Sequence, residues 1–65
     1  MASKAAIETM IAMAVIRNTE CTDYRTVKAI QVRLSSDPRV VTLAKSYIKG
    51  DTSKDDFNAA IAAEM

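Results

Sequence analysis

Residues 5–16 read AAIETMIAMAVI, and the fold depends on what can cover such a segment. Ala, Ile and Met are adequate to strong helix formers and Ser3 offers an N-cap oxygen, so the pattern predicts a helix over 4–17. At about 3.6 residues per turn, Ile7, Met10, Ile11, Ala14 and Val15 share one face. Opposite them lie Ala5, Ala6, Thr9, Ala12, Met13 and Ile16, a second and shallower apolar face. A helix that is hydrophobic nearly all round is normally buried. Two arrangements satisfy it. In one it is the central core helix, with methionine filling irregular gaps; in the other the second face packs against a copy of the chain or a larger protein. The candidate protein interface is therefore Ala6, Thr9, Ala12, Met13 and Ile16.

Neither a membrane nor a secretion signal explains the segment as well. A span needs about 20 apolar residues, roughly twice the longest uncharged apolar run present. A signal peptide would use Lys4 as its basic end, but Glu8 interrupts the apolar stretch near its start. The single cysteine, Cys21, suits a reducing cytoplasmic setting.

The rest of the chain supplies punctuation for three more helices. Residues 18–22 are a polar break, with Asn18 expected to take the left-handed conformation that ends the first helix. Asp23 or Thr22 then caps a helix over 23–35, in which Tyr24, Val27, Ile30 and Leu34 are expected inward and Gln31 borders the apolar stripe. The strongest break is Ser35-Ser36-Asp37-Pro38. Asp37 at the cap and Pro38 at the first helical position start a third helix over 38–49, since proline's missing amide would be unpaired there anyway. Its expected inner side is Val40, Val41, Leu43, Ala44, Tyr47 and Ile48. Gly50, the only glycine, stops it. Thr52 or Ser53 caps a fourth helix over 53–64, whose acidic first turn, Asp55 and Asp56, suits the positive end of the helix dipole. Phe57, Ala60, Ile61 and Met65 are expected inward, and the alanine-rich end to fray. No segment alternates with period two and no hairpin dipeptide occurs. The expected fold is a single all-α domain over 1–65, a bundle of four short helices completed by dimerisation or a partner.

That last expectation comes from size. A chain of 65 residues buries only about 60 % of its unfolded surface, and so small a core rarely contributes more than about 3–5 kcal/mol without a staple. One cysteine cannot form an intrachain disulfide. With no histidine, a tetrahedral zinc site has no adequate ligand set. Association is the staple that remains.

Catalytic groups are as sparse. Without histidine, Cys21 or a serine has no usual base. Asp55 and Asp56 are adjacent, point about 100° apart on a helix and cannot converge as an acid and base pair. Residues 51–64 place Asp51, Ser53 and Asp55 at calcium-loop spacing, but the turn glycine is missing and Ala62 stands where a bidentate glutamate is needed. One glycine also excludes phosphate-binding and dinucleotide loops. The chain is expected to be non-catalytic and to hold no cofactor or metal.

Charge gives the one rival to protein docking. Net charge is +1, yet Arg25, Lys28, Arg33, Arg39, Lys45 and Lys49 outnumber Asp23 and Asp37 in the middle, while Asp51, Asp55, Asp56 and Glu64 outnumber Lys54 at the end. Two helices around a short turn can form a helix-turn-helix. Arg39, Thr42, Lys45, Ser46 and Lys49 would then face DNA, with Arg25, Lys28 and Arg33 on phosphates. The turn lacks the glycine often found there, and the charge is far below that of a free-standing DNA binder. The preferred expectation is a protein–protein interaction module, an adaptor, inhibitor or accessory regulator of the kind viruses and mobile elements carry. Its partner would be a second copy or a larger protein, and the DNA-binding regulator is the alternative.

Overall fold

In the computed structural model, which describes residues 3–65, four helices follow in order: α1 (Lys4–Thr19), α2 (Tyr24–Ser35), α3 (Pro38–Lys49) and α4 (Lys54–Glu64). The all-α bundle expected from the sequence is the observed architecture. Each helix begins on a side-chain oxygen that accepts from an otherwise orphaned backbone amide. Ser3 accepts from Ala6, Asp23 from Arg25, Asp37 from Arg39 and Ser53 from Asp56.

α1 is the axis of the molecule. Its 16 residues, at a rise of about 1.5 Å each, make it the longest helix, in a molecule whose longest dimension is 29 Å. α2 and α4 pack most extensively against it and α3 less, with α3 also touching α2 and α4. Ile7, Ile11, Ala14 and Val15 enter the core from α1, Val27 and Leu34 from α2, Val40 and Ala44 from α3, and Phe57 and Ile61 from α4. Phe57 stacks on Tyr47, with ring centroids 4.6 Å apart and planes within 4°. Met10, Ile30, Val41, Leu43 and Cys21 pack around this centre.

Several details depart from the sequence reading. α1 runs past Asn18 to Thr19, and Glu20 takes the left-handed conformation at φ 54°. Asn18 stays helical because its side chain has two better partners. Its amide donates to the Ala14 carbonyl and, across the helix pair, to the Asn58 carbonyl, both at 3.0 Å. Tyr24, expected inward, is 74 % exposed; it is the first residue of α2, and the buried side of that helix starts only at Val27. Ile48 and Met65, also expected inward, sit at helix ends and remain exposed. The alanine-rich end is helical to Glu64, whose carboxylate lies 3.5 Å from the Arg39 guanidinium.

Gln31 is the one buried polar side chain among the described residues. It is 2 % exposed, and its amide donates to the Ser35 hydroxyl at 2.6 Å. A polar side chain taken from water needs such a partner.

Candidate functional site

The helices that surround α1 leave one side of it open. α2 packs along the edge that carries Glu8 and Ala12, while α4 packs along the edge where Arg17 and Asn18 reach Asn58, through the Arg17 guanidinium to Asn58 Oδ1 at 3.3 Å. Between these edges the outer stripe faces solvent. Met13 is 40 % and Ile16 43 % exposed, Ala5 and Thr9 are exposed, and Ala6 and Ala12 are half-buried at the margins. The Thr9 hydroxyl donates to the Ala5 carbonyl at 2.8 Å. With that bond made inside its own helix, the Thr9 hydroxyl proton already has a partner. Of the five predicted interface residues, Thr9, Met13 and Ile16 are exposed on one strip, Ala6 is half-buried at its margin, and Ala12 is half-buried and packs against the core.

The strip is wider than the sequence indicated. A cleft of about 300 Å³ opens beside its N-terminal half, between α1 and α2, lined by Ala5, Glu8, Thr9, Ala12, Tyr24, Lys28 and Gln31. Tyr24 and Lys28 therefore extend the face onto α2. Val32, 51 % exposed, continues it one turn further along α2. The signal for Tyr24 was its place in the first helical turn, where an apolar stripe has least cover; for Val32 it was its spacing of four from Lys28 on the polar side of the wheel.

Apart from Lys28, which lines the cleft, the basic residues predicted to meet DNA lie outside this strip, and several polar groups of α3 are already engaged. Arg39 reaches back to the Asp37 carboxylate at 3.1 Å and across to Glu64 at 3.5 Å. This pairing holds the Asp37 carboxyl below its usual range, chiefly through the Arg39 side-chain hydrogen bond, and the same bond raises Arg39. Lys49 lies 3.8 Å from Asp51. The Thr42 hydroxyl donates to the Pro38 carbonyl at 2.9 Å, and the Ser46 hydroxyl shares a 2.8 Å hydrogen bond with Thr52. Arg25, Lys28, Arg33 and Lys45 are exposed and make no ion pair among the described residues. The turn between α2 and α3 is two residues, Ser36 and Asp37, shorter than the usual three or four of a helix-turn-helix.

No group of three or more His, Cys, Asp or Glu side chains converges among the described residues, and no helix there is long and apolar enough to cross a membrane. Cys21 is a half-buried free thiol at the edge of the core. No protein-family model, curated protein or solved structure matches the chain.

Proposed function

We propose that this chain is a non-catalytic protein–protein interaction module that docks through the outer face of α1. The carrying observation is that Met13 and Ile16 stand about 40 % exposed on the same stripe as Thr9, on the helix that also forms the core's centre. Single exposed apolar residues are ordinary on protein surfaces. A strip of them on one helix, widened by Tyr24 across a cleft, is what an interface core looks like before its partner arrives. An adaptor, inhibitor or accessory regulator works by such a surface, and the uneven charge of the other helices would steer which partner approaches.

DNA binding through α3 is the weaker reading. Three of the five α3 groups it requires, Arg39, Thr42 and Ser46, already have polar partners inside the chain, and Lys49 stands beside Asp51.

The test is a paired retention experiment. Immobilised wild-type chain and a Met13→Glu/Ile16→Glu double variant, matched for helix content by circular dichroism, are exposed to the same host extract. Docking through α1 predicts a protein retained by the wild type and lost by the variant. Equal retention by both, from the extract and from a solution of the free wild-type chain alike, or loss of helix in the variant, ends the reading.

A further inference from the structure

The cleft between α1 and α2 gathers polar atoms that neither the core nor docking through α1 uses. Ala5, Glu8, Thr9 and Ala12 recur at helical spacing along one wall, and Tyr24, Lys28 and Gln31 along the other. The chain reverses between Thr19 and Tyr24, so the walls run antiparallel. Gln31 therefore lies toward the Ala5 and Glu8 end of the cleft and Tyr24 toward the Ala12 end, with Lys28 between.

At the Gln31 end the available atoms are acceptors. Gln31 is 2 % exposed, and its amide donates to the Ser35 hydroxyl. Its carbonyl oxygen accepts no bond among the described residues, yet none of their buried side-chain N or O atoms lacks a partner. That oxygen is consequently the part of Gln31 that solvent reaches. Gln31 meets solvent at the cleft and at a recess next to it, and Glu8 lines both. The Glu8 side chain is half-buried and makes no ion pair among the described residues. The Thr9 hydroxyl has given its proton to the Ala5 carbonyl, so only its lone pairs remain. Acceptors shielded from water, one of them charged, call for a cationic N–H donor. One turn along α2, Lys28 sets an exposed and unpaired cation at the rim.

We propose that this cleft binds a free amino acid with an apolar side chain. The ammonium sits between the Gln31 carbonyl oxygen and the Glu8 carboxylate, the carboxylate meets Lys28, and the side chain lies along Ala12 against the Tyr24 ring. Met13 and Ile16 do not line the cleft, so the site stands apart from docking through α1. Charge selects the zwitterion: a simple cation would be repelled by Lys28 and a simple anion by Glu8. Spacing agrees, because residues three apart are about 4.5 Å apart along a helix, within reach of the two poles of one amino acid on a flexible lysine. Size agrees as well. At about 300 Å³ the cleft is at the small end of ligand sites, which suits about a dozen non-hydrogen atoms and a dissociation constant of about 1 mM.

Amide shifts of the full, nitrogen-labelled chain titrated with L-phenylalanine read the binding. N-acetyl-L-phenylalanine and L-phenylalaninamide each lack one pole. The expected result is saturable shifts at the cleft-lining residues, with the acetylated compound at least about tenfold weaker, since it loses a charge-assisted hydrogen bond. The amide should be about threefold weaker, because its missing partner is an exposed charge. Glu8→Gln should weaken phenylalanine about tenfold, and Lys28→Met should erase the preference for phenylalanine over its amide; both variants should keep their helix content by circular dichroism. Met13→Glu/Ile16→Glu should leave the titration unchanged, so this site and the α1 docking face can fail separately. Shifts that do not saturate by about 20 mM phenylalanine overturn the site. Equal binding of the acetylated compound, or a preference over the amide that survives Lys28→Met, overturns the zwitterion.

Discussion

Glu20 and Gly50 hold the same left-handed backbone conformation, at φ 54° and 90°, with different intrinsic cost. For Gly50 it is nearly free, and a Cβ added there would meet nothing within 4 Å. Gly50→Ala therefore tests backbone strain alone and should destabilise by about 1 kcal/mol. Glu20 already bears that strain to close α1, its amide donating to the Ile16 carbonyl at 2.7 Å. Glu20→Gly should accordingly stabilise by about 1 kcal/mol, a rise in melting temperature of roughly 4–8 °C for a domain of this size. Thermal denaturation followed at the helix band checks both signs. Asp37 offers a third test at this scale. Its carboxyl is held below the ordinary value of 3.8 by Arg39, so its contribution to stability is present above that pH and is lost as pH falls through the depressed value. Asp37→Asn keeps an N-cap but should flatten this part of the acid-denaturation curve. A curve unchanged in the variant would remove the Arg39 pairing from the account.

At the scale of the element, most helix boundaries were legible because they are written in side-chain chemistry. Asp37-Pro38 and Gly50 delimit α3 at its observed ends, and of the two candidates at each of the other starts Asp23 caps α2 and Ser53 caps α4. Asn18 misled because its propensity for a left-handed turn is local, whereas its bond to the Asn58 carbonyl depends on a contact 40 residues away. Periodicity places Tyr24, Ile48 and Met65 inward, but it assigns a face without marking where cover ends at the helix termini, and all three are exposed there. The two faces of α1 were legible for the opposite reason. A helix apolar all round reports an unmet need for cover, and only three short helices are available to provide it. The buried face of α1 is probed through its neighbour α4. Phe57 is fully buried and stacked on Tyr47, and Phe57→Ala should cost about 3–5 kcal/mol. Since that matches the whole stability of so small a core, the variant should show no cooperative urea transition. A variant that unfolds within about 1 kcal/mol of the parent would mean that the Tyr47–Phe57 stack does not anchor α4.

For the whole molecule, the competing pictures differ in how charge and apolar surface are divided. If the basic residues of α2 and α3 served nucleic acid, binding to random duplex DNA would be detectable at low salt and fall steeply as salt rises, one released counterion for nearly every phosphate contacted. The engaged state of Arg39, Thr42 and Ser46 leads to the contrary expectation, no measurable binding at low salt by fluorescence anisotropy. What organises the molecule instead is a single helix with a buried face and a free one. Ile7, Ile11, Ala14 and Val15 are the first, Thr9, Met13 and Ile16 the second. The direct test is urea denaturation of Met13→Glu/Ile16→Glu beside the parent chain at the same low micromolar concentration. The free-face account predicts a cooperative transition within about 0.5 kcal/mol of the parent, the range of surface substitutions. Loss of that transition would show that both faces of α1 are core.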